Sequence, residues 1–597
     1  MQNVRALLNS LKTLLLAGSL LSGTAMAEAI PVTLERTDAG WQLVRDGEPY
    51  FIRGAGGSES LQALVAAGGN SIRTWDAEGI DALLDEAHAL GLTVTVGIWL
   101  GHERHGFDYG DPDQVAEQLA RAERFVERYK DHPAVLLWGV GNEMEGFDEG
   151  DNPAIWKAVN DVAAMIKEKD PHHPTMTVTT FVHGERIDWV HRNMPAIDIH
   201  GINAYGGAPA VPQFLADGKA SKPYLLSEFG PPGTWEVPLT EWGAALEPTS
   251  TAKADAYERH YEAAIASQPG KALGGYVFVW GNKVEGTPTW FGMWLKDGAR
   301  LGAVDRMQKL WRGTARENTA PEVTPLSLDG TNEVEPGDEF AVTVSVVDGD
   351  EDALRAHWAI TYDTLENLTG GDFRPDWPEI DSAIVKSDLT SAKVRAPETP
   401  GPYRLFYTVY DDAGGAATAN VPLYVKGEAG TPFPFPVYED GFEGMPWVPS
   451  GWMGDTHKLE LDGRSGEQVY VGDHSIRMRL AGPFGWAGVV WQNPANNWGD
   501  QDGGFDLTGA TALEFWARGQ YGGEKIGFGV GIIEQDQDFP DSAVVKRDGI
   551  TLTREWTLYR VPLKRADLTQ IRSGFFVTLV GRRSPVTIYL DQIRYVR

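Results

Sequence analysis

A multidomain chain, a parallel (β/α)8 barrel of the TIM type followed by an Ig-like β-sandwich and a β jelly-roll, is the fold class that this 597-residue sequence predicts. Three observations carry that reading. Short apolar runs alternate with amphipathic helical patterns as far as residue 315, eight times over, as a βα repeat requires. From residue 320 onward the period shortens to that of strands, with Asp/Gly turns between them and no helical stretch. Two of the early apolar runs end abruptly in a glutamate: WGVGNE, closing on Glu143, and LLSEFG, holding Glu228. A fully buried parallel strand that delivers a functional group to the mouth of a barrel has this pattern.

The elements follow in order. Arg5 and Lys12, the apolar residues 14–21 and the small-x-small triplet Ala25-Met26-Ala27 read as a secretory signal peptide over residues 1–27. The protein is therefore expected to be secreted or periplasmic once that segment is removed. Residues 41–45 and 48–53 form a hairpin about Asp46-Gly47. The eight barrel strands are read at 51–56, 71–75, 93–99, 134–139, 175–180, 197–203, 224–227 and 275–280, within a domain spanning 28–317. Helices at 80–90 and 112–130 show apolar spacings of three and four, and Asp111-Pro112 supplies an N-cap and first-turn proline for the second. An open doubly wound sheet is the rival, but no Gly-rich phosphate loop follows the first strand.

Residues 318–426 read as the Ig-like sandwich. Its turn Asp348-Gly349-Asp350-Glu351-Asp352 is either a solvated turn or a calcium loop. The Pro/Gly-rich residues 427–436 form a linker, and 437–597 read as the jelly-roll.

Composition narrows the function. A formal charge of −32 repels nucleic acid and anionic membrane surfaces, so neither is an expected partner. After the leader, no apolar run is long enough for membrane insertion. Nothing in the sequence assigns an oligomeric state. The absence of cysteine excludes disulfides, thiolate metal sites and a cysteine nucleophile. The 21 Trp, 19 Tyr and 22 Phe suit a protein that stacks aromatic rings on sugars, and equally a protein with large all-β cores.

Cleaving a glycosidic bond takes two carboxyl groups, one to protonate the leaving oxygen and one to attack or to activate water. Glu143 and Glu228 fall at the ends of the fourth and seventh strands, which meet over one barrel mouth. A lone glutamate after a strand is most often a surface or ion-paired residue; a matched pair reverses that expectation.

At this point a family comes into view. HPAVLLWGVGNE (132–143) resembles the fourth-strand motif of the clan A glycoside hydrolases, and is closest to the barrel of family 2. KPYLLSEFG (222–230) resembles that family's nucleophile strand, NSIRTW (70–75) its second strand and INAY (202–205) its sixth. Asn203, where many clan members have histidine, favours the family 2-like branch. The resemblance implies Glu143 as general acid/base, Glu228 as nucleophile and retention of configuration. It places Asn142 on the sugar 2-hydroxyl, Arg73 and Tyr205 against Glu228, and Trp280 under the reacting sugar, with barrel packing as the other reading of Trp280. Trp75 and Asn203 fall within the same motifs and are expected to line the substrate site. In the polar loop 101–111, His102 and His105 are expected to shape subsites, with Trp99 and Trp235 as sugar platforms. No cofactor is expected for catalysis.

The last domain carries EDGFE (439–443) and, in its final strand, Asp591-Gln592-Ile593, which resemble carbohydrate-binding jelly-rolls. That likeness implies a structural calcium shared by Glu443 and Asp591. Trp486, Trp491 and Trp498 are either glycan-stacking or core residues. The expected function is a secreted retaining β-glycoside hydrolase acting on a polysaccharide or oligosaccharide, with a β-glucan foremost. A transglycosylase on the same site and a non-catalytic glycan-binding protein are the alternatives.

Overall fold

The structure, a computed structural model, describes residues 29–103, 107–145, 152–363, 379–427, 431, 433–442, 445–482 and 484–597. His105 and Glu443 lie outside these. Eight parallel strands close into a barrel: β1 (Ile52–Gly56), β2 (Ser71–Arg73), β3 (Thr93–Ile98), β4 (Val135–Val140), β5 (Thr175–Thr180), β6 (Ile199–Asn203), β7 (Tyr224–Phe229) and β8 (Ala272–Val277). Every residue of β4 and of β7 is buried. This is why their sequences are continuous apolar runs and not alternating ones: both faces of each strand are covered.

The helices are α1 (Leu61–Ala66), α2 (Asp81–Ala89), α3 (Pro112–Tyr129), α4 (Pro153–Lys169), α5 (Arg186–Asp188), α6 (Val211–Asp217), α7 (Ser250–Tyr261) and α8 (Gly302–Arg312). α3 begins as its sequence dictates. Asp111 accepts from the backbone N–H groups of Asp113 and Gln114, and Pro112 occupies the first turn, where its missing N–H costs nothing. Trp138 of β4 points into the helix layer, fully buried, and donates its indole N–H to Asp170 Oδ2 at 2.7 Å. Truncating a side chain this large and this buried costs about 3–5 kcal/mol.

The N-terminal hairpin gains a third strand, giving the sheet Val32–Thr37, Gly40–Arg45 and Glu48–Tyr50. It seals the end of the barrel away from the strand C-termini. Val32 N–H donates to His172 O and Trp41 N–H to Gly270 O, both just ahead of barrel strands. Val32 and Leu43 join Ile52, Leu137, Met176 and Tyr276 in one cluster inside the barrel. Gly54 makes room there, since a Cβ at that position would fall 2.2 Å from the Tyr276 ring.

The eighth strand corrects the sequence reading. It runs three residues earlier than expected, from Ala272 to Val277, so Phe278 and not Trp280 follows its end directly.

The sandwich sets Arg355–Tyr362, Gly401–Tyr410 and Gly415–Val425 against a sheet of Ser327–Leu328, Glu339–Thr343, Ile384–Ser387 and Ser391–Arg395. It is stitched to the barrel. Arg300–Leu301, just before α8, pairs in parallel with Gly415–Ala416, and Arg404 donates to Ala245 O at 3.0 Å. The C-terminal domain is two antiparallel sheets of five or more strands facing across a core that includes Trp447, Trp491, Phe515 and Phe575. Trp491 is thus a core residue, while Trp486 and Trp498 remain exposed. No helix among the described residues is long and apolar enough to cross a membrane.

Candidate active site

At the end of β7 the Glu228 side chain, 5% exposed, is ringed by donors. Arg73 Nη1, from the end of β2, lies 2.8 Å from Oε1 as a buried ion pair. The Trp75 indole N–H reaches the same oxygen at 2.8 Å. The Tyr205 hydroxyl, from the loop after β6, donates to Oε2 at 2.7 Å. Burial and the adjacent Glu228 charge push the Tyr205 phenol well above its ordinary range, so it stays a donor.

Glu143 is reached by a tight reversal after β4. Gly141 and Glu143 both take positive φ, 70° and 52°, and Glu143 N–H is held by Val178 O of β5 at 3.0 Å. A left-handed glutamate is uncommon, and backbone strain of this kind collects at working sites. The residue is half-buried. Among the described residues one hydrogen bond reaches it, from Asn203 Nδ2 at 2.7 Å. Burial first, then the Glu228 charge, pushes its carboxyl up to about 8, against the smaller opposing effect of that hydrogen bond.

A relay links the two carboxylates. Arg73 Nη2 donates to Asn142 Oδ1 at 2.6 Å, and Asn203 Nδ2 lies 3.3 Å from the same oxygen. The Ser227 hydroxyl donates to Asn203 Oδ1 at 2.9 Å, which fixes the amide so that its NH2 faces Glu143. With Asn142 Oδ1 occupied, the Asn142 amide NH2 is left to serve a ligand. The structure thus gathers Arg73, Trp75, Asn142, Glu143, Asn203, Tyr205 and Glu228 into one network.

The outer residues divide. Trp235, 60% exposed, stands edge-on to Tyr205 with ring centroids 5.6 Å apart. Trp99 stacks on the buried His102 at 5.1 Å. Trp280 is 1% exposed and packs on Trp294 and Trp311, so it has no open face for a sugar; packing, its other reading, is its role. Phe278 takes the inner place instead, its ring 5.9 Å from Trp75 and 5.7 Å from Tyr205.

Two further carboxylates were invisible in the sequence because their partners lie on other strands and loops. Glu145 accepts from Thr180 N–H and Oγ1 at 2.6 and 2.7 Å and from Arg186 Nε at 2.9 Å, pinning the β4 loop to β5. Glu236 accepts from the N–H groups of Gly206, Gly207 and Gly233, tying the loops after β6 and β7 together.

In the jelly-roll, Asp591 Oδ2 accepts from Tyr470 N–H at 2.8 Å and Oδ1 from Gln592 N–H at 2.8 Å. Burial raises its carboxyl to about 6. Its expected calcium partner Glu443 is outside the described residues.

Residues 71–233 match the family model "Glycosyl hydrolases family 2, TIM barrel domain". That match takes in the barrel from β2 to the loop after β7. Among curated proteins, "Probable mannan endo-1,4-beta-mannosidase C" of Aspergillus terreus is 25% identical over 181 residues, covering 25% of this chain and 44% of that one. A beta-galactosidase of Clostridium perfringens is 33% identical over 95 residues, 12% of this chain and 14% of its own. Among solved structures, a b-glucuronidase from Ruminococcus gnavus in complex with D-glucuronic acid shares 14% identity over 47% of this chain and 52% of that one, with a TM-score of 0.37. The chain thus spans less than half the length of these two curated relatives. The matched segment contains every member of the carboxylate network, from Arg73 to Glu228.

Proposed function

We propose that the chain is a retaining β-glycoside hydrolase acting on a β-linked polysaccharide or oligosaccharide, with a β-glucan the first candidate, and that it is exported after cleavage at Ala27. One observation supports this above the others: two linked carboxylates on one rim, one ringed by donors and one held protonated to about pH 8.

In the first step Glu143 gives its proton to the glycosidic oxygen while a Glu228 oxygen attacks the anomeric carbon. The C–O bond to the leaving sugar breaks and a glycosyl ester forms. That ester removes the Glu228 charge, one of the two main causes of the high Glu143 value. The Glu143 carboxylate left behind is then less basic than before, yet suited to take a proton from water. Water attacks the same carbon, Glu228 leaves as carboxylate, and the configuration is retained. Asn142 supplies its amide to the sugar beside the reacting carbon.

The test is a panel of β-linked polysaccharides, β-glucans and β-mannans included, followed by NMR of the nascent reducing ends. The β-anomer is expected first. Immediate α-anomer would exclude the double displacement, and product sizing at high acceptor concentration would expose transfer to sugar hydroxyls.

A further inference from the structure

Outside the carboxylate network, three aspartates of the sandwich converge. A carboxylate oxygen from each of Asp348, Asp352 and Asp411 lies within 4.8 Å of the other two. Asp348 and Asp352 belong to the turn between Val346–Val347 and Arg355–Tyr362; Asp411 opens the turn between Gly401–Tyr410 and Gly415–Val425. Among the described residues none of the three is ion-paired with lysine or arginine. Like charges this close repel unless something neutralises them.

The hydrogen bonds show what each carboxylate still offers. Asp348 Oδ1 accepts from Asp350 and Asp352 N–H, and Asp411 Oδ1 from Ala413 and Gly415 N–H. In each case the second oxygen is shut off from solvent and has no donor: Asp348 Oδ2 and Asp411 Oδ2. Asp411 as a residue is only 6% exposed. A buried, charged oxygen without a partner is costly, and two in one cluster are an open demand for a cation.

We propose that these three aspartates bind one calcium ion. Two oxygens bound to one Ca²⁺ stand at most about 4.6–5.2 Å apart, twice its ligand distance, and the three carboxylates lie within that reach of one another. The donor set is all oxygen, carried on turns, with no histidine. That disfavours zinc, and flexible turns suit calcium's variable coordination better than the strict octahedron of magnesium.

The ion's place gives it a task. Asp352 also accepts from Asn318 Nδ2, and Asp350 from Thr319 N–H at 2.8 Å; residues 318 and 319 lie on the chain leaving α8. Gly415 pairs with Arg300 of the barrel. Calcium therefore clamps the point where barrel and sandwich are joined.

The experiment uses the full chain stripped with EDTA. Isothermal titration with Ca²⁺ should show a binding event that is lost in Asp348→Asn and Asp352→Asn and kept in Asp412→Asn, an exposed neighbour, and in Asp591→Asn. Adding 1 mM Ca²⁺ should raise the melting temperature of the stripped wild type by about 3 °C or more, and that of Asp348→Asn by far less. Asp411→Asn should behave likewise if it folds; the other two variants decide the matter if it does not. No calcium binding by the wild type, binding unaltered in Asp348→Asn and Asp352→Asn, loss confined to Asp591→Asn, or an equal response to Mg²⁺ would each overturn the proposal.

Discussion

At the end of β7 a glutamate accepts from a guanidinium, an indole and a phenol, and is ion-paired in near-complete burial. At the end of β4 a glutamate of the same rim meets one amide, and its carboxyl is pushed up to about 8. Both close an apolar parallel strand, and neither sequence context states which will carry a proton. The difference lies in what the neighbouring strands bring. β2 and the loop after β6 supply Arg73, Trp75 and Tyr205 to one carboxylate; among the described residues, Asn203, its amide fixed by Ser227, is the one donor to the other. Two identical side chains are thereby given opposite tasks by their donors.

Replacing each glutamate in turn is the severest way to break that comparison. Glu228→Gln should cost about 10⁴-fold or more in kcat on every substrate, because no other group forms the ester. Glu143→Gln should cost about 10²–10⁴-fold on natural glycosides, where the leaving oxygen needs a proton. It should cost far less in the first step on aryl glycosides with acidic phenols, which leave unaided. Equal losses on both substrate types would show that Glu143 is not the proton donor.

The pH profile sharpens the same point. The working form of Glu143 in the first step is the protonated one, and its value is raised to about 8. kcat/KM should therefore fall as pH rises through about 8, an alkaline limb and not an acid one. Glu143→Gln should abolish that limb; its survival would assign it to another group.

A smaller effect tests the donors themselves. Tyr205→Phe removes the 2.7 Å hydrogen bond to Glu228 Oε2 and leaves the ring in place. Hydrogen bonds to charged groups contribute about 1.5–3 kcal/mol, so kcat/KM should fall about 10–100-fold with the melting temperature little changed. A change within twofold would show that Arg73 and Trp75 suffice.

Much of this was legible before the fold was known, and what was missed has physical causes. Buried parallel strands write themselves as apolar runs, so the barrel and the positions of Glu143 and Glu228 could be read directly. The eighth strand misled because Gly274-Gly275, in its middle, resembles a turn. Gly274 takes a φ of 123° and a Cβ there would fall 2.1 Å from Ile52 O, so these glycines serve strand contact and not a break. The three-residue slip that followed made Trp280 appear to face the sugar, when Phe278 holds the inner position. Ser227, Glu145 and Glu236 carry no motif, since they act through an amide, a hydroxyl, a guanidinium and backbone N–H groups that only the fold brings to them. The acidic turn at 348–352 was visible, but its third member, Asp411, is distant in the chain and meets it only through the sandwich.

Trp235 marks the outer limit of the donor-rich side of the site. It stands 60% exposed on the loop after β7, leaning edge-on against Tyr205 and tilted against Phe291 at 6.4 Å. An aromatic face so placed can stack on a sugar next to the one being cleaved, while touching neither carboxylate. Trp235→Ala should accordingly raise KM for oligosaccharides about 3–10-fold, the worth of one aromatic contact, and leave kcat nearly unchanged. A short aryl glycoside that does not reach the loop should lose nothing. If kcat falls while KM holds, the ring is supporting Tyr205 and not the substrate, and the boundary between binding surface and carboxylate network has to be moved outward to include it.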